Sequence, residues 1–240
     1  MMTINFKLNE NTYLKDPVTT DLGNKILSSS IKLIDEYGLD DFNFKKLSQE
    51  IGSTESSVYR YFENKHYLFI YLLNWYWEWT SMRIDLAMLN IDDPQVKIQK
   101  IIRTVIESTM ANVDVPFIDE DALHRIVTRE GSKAYHHKYV DKENKYGFFL
   151  SYKELCKKIS KVFLELNPNY KYPRSLASTL VEICNKNIYF SKHLPRLTDV
   201  EFRKDTNIMQ ENLFEMLESL VMNSLTSKKE FINHTKIELS

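Results

Sequence analysis

A chain of 240 residues that is 43% hydrophobic, 12% aromatic and 27% charged can build a substantial core and still remain in solution. Its net charge of −1 excludes a global attraction to nucleic acid or to an anionic membrane, so any such contact must be local. Five glycines and six prolines point to an almost all-helical protein with few tight turns.

The segment 24–68 is the most informative. Leu27, Ile31 and Ile34 recur at i, i+4, i+7 and predict an amphipathic helix that Gly38 closes, since glycine accepts the left-handed conformation at a helix end. Asn43 is suited to cap a short second helix over 44–51, in which Leu47 and Ile51 share a face. Gly52 stops it, and Thr54 is placed to cap a third helix with Val58 and Phe62 on its inner side. Two helices joined by so short a turn cannot lie antiparallel. They must cross steeply, as in a helix-turn-helix that offers its second helix to a major groove. Glu63-Asn64 then breaks the pattern and Lys65 opens a fourth helix.

That fourth helix is predicted over 65–90 and is unusually aromatic. Further helices are expected over 94–112 and 118–130, followed by a long segment over 139–166. The last two helices are expected over 173–193 and 201–225, with prolines punctuating the turns between elements. In the final helix Phe202, Met209, Leu213, Met216 and Leu220 form one stripe, and Phe214, Leu217, Val221 and Leu225 another. The preceding helix offers Leu176, Leu180 and Ile183 beside Val181, Cys184 and Ile188. Apolar faces so wide suit burial on two sides. The plainer alternative is that both serve the monomer core alone.

Ile26-Leu27, Tyr37-Gly38, Leu47, Gly52, the run Val58-Tyr59-Arg60-Tyr61-Phe62, Lys65 and Leu68, in order and without gaps, resemble the N-terminal DNA-binding domain of TetR-type transcriptional regulators. The resemblance covers roughly the first third of the chain. It implies an all-α protein with a three-helix DNA-binding domain over 1–66 and a larger helical ligand-binding and dimerisation domain over 67–240. Its implied DNA contacts are Lys45, Thr54, Ser56, Ser57, Tyr59, Arg60 and Lys65. Tyr59 and Lys65 would hold phosphate, Thr54 would cap and meet a phosphate, and Arg60 would be the one strong base reader. The alternative for Tyr59 and Tyr61 is that they are domain core. The family pairs its C-terminal helices into a four-helix bundle, which makes Leu180, Ile183, Ile188, Leu213, Leu217 and Leu220 the expected dimer contacts. It also implies a small-molecule pocket, with Trp75, Trp79, Phe117, His124, Phe148, Phe149 and Tyr152 as candidate walls for an apolar or aromatic ligand.

Several positions depart from the family habit: Ser53 stands for an apolar residue, Ser48 and Ile51 for small ones, and Glu55 for a basic or small one. Between Asn24 and Ile70 six basic residues face seven acidic ones, a net of −1, whereas DNA-binding modules are usually basic. Asp35, Glu36, Asp40 and Asp41 cluster at the first turn, where they could face away from DNA. The expectation is therefore a repressor that binds a palindromic operator only as a homodimer and is released by an inducer. The competing expectation is a ligand-binding or protein-interaction module that has weakened or lost DNA binding.

Catalysis is not expected. His136-His137 with Asp141 and Glu143 invites a metal reading, but adjacent histidines cannot both point one way on a helix, and no H-E-x-x-H or Cys/His framework is present. Lys153, Lys157 and Lys158 around Cys156 could activate a thiol, yet no partner histidine is placed by sequence. No metal or other cofactor is expected. Cys156 and Cys184 lack C-x-x-C spacing and suggest a reducing compartment. The opening residues lack the basic and apolar regions of a signal peptide, and the most hydrophobic run, 67–79, is too short to span a bilayer. A cytoplasmic location without a membrane partner follows as the expectation, so the glycosylation sequon at Asn233 should carry no meaning.

Overall fold

The computed structural model describes residues 6–107, 117–201 and 206–227. Ten α-helices and no strand occur among the described residues, in agreement with the all-α expectation. They are α1 (Asp21–Asp41), α2 (Phe44–Glu50), α3 (Glu55–Tyr59), α4 (Lys65–Ala87), α5 (Pro94–Glu107), α6 (Glu120–Glu130), α7 (Val140–Lys145), α8 (Leu150–Leu166), α9 (Pro173–His193) and α10 (Thr206–Thr226). Residues 108–112, Phe202 and the sequon at Asn233 lie outside the described residues.

The first helices start and stop where their caps dictate. Asn43 accepts from Lys46 N–H, Thr54 from Ser57 N–H and Asn64 from Tyr67 N–H, each satisfying an amide that the helix leaves unpaired. Gly38 bends the end of α1 with φ +80°, and Gly52 makes the turn into α3 with φ +63°. The expected segment over 139–166 is instead two helices. Gly147, at φ +78°, breaks it between α7 and α8. The fourth helix ends at Ala87 rather than Asn90, which itself takes φ 61°.

Helix α4 is the axis of the molecule. It is apolar on all sides and buries Leu68 through Trp77, then Trp79, Thr80 and Ile84. A helix with no polar face must be covered all round. The N-terminal arm and α5, α6 and α8 pack against it. Helix α8 then packs on α9, and α10 lies across α5 and α9.

The arm ahead of α1 is folded down, which its composition did not suggest. Leu8 and Thr12 are buried, and the rings of Phe6 and Tyr13 meet Trp75 and Tyr71 edge-on at 5.6 and 5.8 Å. Leu14 N–H donates to Tyr61 O at 2.7 Å, and the Thr20 and Tyr61 hydroxyls share a 2.8 Å hydrogen bond. Gly23 lets this arm approach: a Cβ there would stand 2.0 Å from Pro17 O.

Candidate nucleic-acid interface

The turn at Gly52 and the cap at Thr54 present α3 with its inner residue, Val58, fully buried and its other positions turned outward. Lys45, Thr54, Ser56, Tyr59 and Arg60 are exposed, and Ser57 is half-buried. The hydroxyls form a chain: Thr54 Oγ1 lies 2.9 Å from both Ser56 Oγ and Ser57 Oγ, and Arg60 Nη2 donates to Ser57 Oγ at 3.4 Å. Tyr59 keeps 47% of its surface exposed while its ring edge rests on Phe44 at 5.0 Å. That contact fixes the ring and leaves the hydroxyl outward. Tyr61, by contrast, is buried and its hydroxyl is committed to Thr20.

Lys65 does not reach this surface freely. Its Nζ donates to the carbonyls of Leu39, Asp40 and Phe42 at 2.9, 3.0 and 3.0 Å, so all three ammonium protons serve the end of α1. Lys32 is paired with Glu50 at 2.7 Å, and Lys46 donates to Asp41 O while sitting over the Tyr37 ring. Among the described residues of α1 to α3, this leaves Lys25, Lys45 and Arg60 as the cations without a carboxylate or carbonyl partner.

The acidic cluster at the end of α1 has another use. Arg125 grips the Asp35 carboxylate in bidentate fashion, Nη2 to Oδ2 at 2.6 Å and Nε to Oδ1 at 3.3 Å, and Arg129 Nη2 donates to Ile34 O and Asp35 O. Lys133 bridges Asp40 and Glu130 at 2.7 Å each. Helix α6 and the turn after it are thus clamped onto the C-terminal end of α1. Sequence reasoning missed these residues because nothing local links positions 35 and 125.

Among the described residues, the seven candidate pocket residues lie in several different packing environments. Trp75 stacks on Trp79 at 5.9 Å, Phe148 meets Tyr67 at 5.1 Å, Phe149 meets Tyr135 at 6.1 Å, and Phe117 is half-buried against the core. Tyr152 stacks on Trp77 at 4.5 Å, and its hydroxyl donates to Glu182 alongside that of Tyr135. His124 alone of the seven lines a cleft of about 70 Å³, between α6 and α9, with Arg125, Thr128, Arg129, Ile188, Tyr189, Lys192 and His193. Its Nδ1 lies 2.8 Å from the Tyr76 hydroxyl and its Nε2 3.1 Å from that of Thr128, and burial pushes its pKa down to about 3.

One turn earlier on the same face of α6, burial raises the Glu120 carboxyl to about 7, against the opposing pull of Arg83. Both Glu120 oxygens, Arg83 Nη1 and Trp79 Nε1 are buried without a hydrogen-bond partner among the described residues. Such atoms are costly unless something satisfies them.

The expected dimer residues divide. Leu180, Leu213, Leu217 and Ile188 are buried within the single chain, where helices α5, α8, α9 and α10 pack on one another. Ile183 is half-buried and Leu220 is 37% exposed, beside Met216, Ser219, Asn223 and Ser224 in a shallow surface groove. The lysines near Cys156 are engaged elsewhere, Lys153 with Asn144, Lys157 with Glu154, and Lys158 with Ser81 and Asp85. Burial pushes the Cys156 thiol up to about 11 and Cys184 up to about 12, so neither is activated.

Comparison with known proteins identifies the fold. Residues 26–72 match the family profile described as bacterial regulatory proteins, tetR family. That match covers the helix-turn-helix segment and the start of α4, and shows a tetR-type DNA-binding segment there. The chain also superposes on a putative TetR-family transcriptional regulator from Syntrophomonas wolfei with a TM-score of 0.61 at 18% identity, covering 86% of this chain and 96% of that one. A structure of AibR in complex with isovaleryl coenzyme A and operator DNA gives 0.56 at 12% identity, covering 81% and 95%. The superantigen PfiT gives 0.58 at 11% identity, covering 89% and 100%. At these identities the likeness is one of fold. No curated protein matches the chain in sequence. Among the described residues, no helix is long and apolar enough to cross a membrane.

Proposed function

We propose that the chain is a cytoplasmic transcriptional regulator that binds an inverted-repeat operator as a homodimer and is released by a small ligand. The functional boundary would fall near residue 66, at the start of α4. The observation that carries the reading is the pairing of an outward-facing α3, bearing Tyr59 and Arg60, with the α6 clamp on α1. Tyr59, Thr54 and Lys45 would hold phosphates, while Arg60, with Ser56 and Ser57, would meet base edges.

A ligand site along α6 is the natural partner of this arrangement. The cleft at His124 borders Arg125 and Arg129, and Glu120 offers an unsatisfied carboxyl one turn away. A cleft of about 70 Å³ is far below the roughly 300–1,000 Å³ of a drug-sized site, so a ligand must part the helices to enter. Moving α6 would move Arg125 and Arg129, and with them α1. A coupling of about 1–3 kcal/mol between the two sites suffices for ordinary induction. The ligand that fits is apolar in bulk, with one polar or cationic group to meet Glu120 and Trp79.

Dimerisation would use the outer faces of α9 and α10 around Ile183, Met216 and Leu220. Two copies would set their α3 helices about 34–36 Å apart on successive major grooves. They would also double the modest contacts of a domain with few unpaired cations.

The competing reading, a module without DNA binding, draws on Glu55, exposed at the first turn of α3, and on the near-neutral first domain. Binding to the DNA flanking the gene, measured at two salt concentrations, separates the two. A steep loss of affinity with salt supports DNA recognition, and undetectable binding at low salt supports the alternative.

A further inference from the structure

His66, His137 and Glu143 come from three separate elements. His66 is the second residue of α4, His137 lies in the turn between α6 and α7, and Glu143 is on α7. His66 Nε2 stands 3.0 Å from both Glu143 oxygens, and His137 Nε2 stands 3.1 Å from Oε2. One donor atom from each lies within 4.8 Å of the others, and the two imidazoles meet at 74°. The Glu143 side chain is only 9% exposed, and among the described residues no lysine or arginine reaches it. A buried carboxylate needs a compensating positive charge.

We propose that His66, His137 and Glu143 form a binding site for a divalent transition-metal ion of the zinc class, fastening the start of α4 to the turn after α6. Two imidazoles and one carboxylate suit Zn²⁺ and its neighbours better than Ca²⁺ or Mg²⁺, which require more oxygen ligands. A tetrahedral centre with bonds of about 2.0–2.1 Å holds its ligand atoms roughly 3.3–3.4 Å apart. The Glu–His separations therefore widen by a few tenths of an ångström and the two imidazoles draw together. A fourth position remains for water.

The local hydrogen bonds define the cost. His137 Nε2 also faces Ala134 O at 3.0 Å, and its Nδ1 accepts from Tyr139 N–H at 3.3 Å. A metal on Nε2 displaces the proton there, which moves to Nδ1 and ends the long Tyr139 bond. Lys65, next to His66, caps α1, so an ion here would brace the joint between the first three helices and the rest. This consequence rests on the proposed regulatory reading. The site itself does not.

The test uses the full chain without an affinity tag, stripped with chelator and titrated with Zn²⁺ by calorimetry. The expected result is one equivalent bound, with His66→Gln, His137→Ala and Glu143→Gln each weakening binding at least about tenfold. His136→Ala, altering the exposed neighbour, should leave it unchanged. Where a variant fails to fold, Co²⁺ bound to the unaltered chain should give the intense visible spectrum of a four-coordinate His/carboxylate site. No saturable binding, a six-coordinate Co²⁺ spectrum, or undiminished binding in the three variants overturns the proposal and leaves a histidine–carboxylate clamp. Duplex DNA binding is measured separately with and without Zn²⁺, so a chain that binds metal but not DNA defeats the regulatory reading alone.

Discussion

Lys65 offers the sharpest test of how this protein divides structure from recognition. Its ammonium donates to the carbonyls of Leu39, Asp40 and Phe42. Replacing it with methionine keeps the apolar stem and removes every donor. A charge-assisted hydrogen bond contributes about 1.5–3 kcal/mol, and the three carbonyls share one ammonium, so their contributions do not add. The expected cost is roughly 2–3 kcal/mol, since the half-buried end of α1 is left without partners. For a chain of this size 1 kcal/mol lowers Tm by about 2–4 °C, so a fall of roughly 4–12 °C is expected in thermal denaturation followed by circular dichroism. Binding to duplex DNA at low temperature, where the variant stays folded, should keep its salt dependence. Losing one phosphate contact per subunit of a dimer would instead flatten the slope of log K against log salt by about 1.8. A Tm within about 1 °C of the unaltered chain, together with that smaller slope, would refute the structural role and return Lys65 to the DNA backbone.

Other outcomes follow from the same contacts. Gly23→Ala places a Cβ 2.0 Å from the backbone oxygen of Pro17, which cannot yield as a side chain would. The arm should detach, seen as a loss of about 3 kcal/mol or more and as rapid proteolysis ahead of α1; an unchanged cleavage rate would count against the docking of the arm. Glu120 has a folded-state pKa raised from 4.5 to about 7, so its contribution to stability is complete below pH 4.5 and is lost as pH rises through 7. Glu120→Gln should therefore stabilise the protein at pH 8 by on the order of 1–3 kcal/mol and flatten the stability profile between pH 5 and 8. A variant profile parallel to that of the unaltered chain would show that Glu120 is not the group responsible. Leu220→Glu puts a charge on the exposed stripe of α10 and should convert dimer to monomer in sedimentation without lowering the monomer's helicity. A dimer that persists would move the interface elsewhere.

Much of the first domain was legible because its signals are local. Asn43 and Thr54 cap helices through amides three residues away, and Gly38 and Gly52 take the positive φ that their turns require. Those devices act within one turn of chain, so residue type and spacing suffice to read them. Periodicity likewise marked α9 and α10 as carrying wide apolar faces. It could not assign Leu180 or Leu213 to the monomer and Leu220 to the surface, because the assignment depends on where α5 and α8 pack.

Charge and histidine chemistry were the least legible. The acids at 35 and 40 read as a weakness in a DNA-binding domain until Arg125 and Lys133, some ninety residues away, are seen to hold them. His137 beside His136 looked like a solvated pair, and only the fold brings His66 and Glu143 to it. The sequence by itself determined the helical class, the stops and caps of the helix-turn-helix, and its family register, all of which follow from contacts within a few residues. The tertiary structure alone decided that Lys65 turns inward, that the arm docks and that α6 grips α1. These depend on groups far apart in the chain meeting at hydrogen-bond distance, and no periodicity encodes such a meeting.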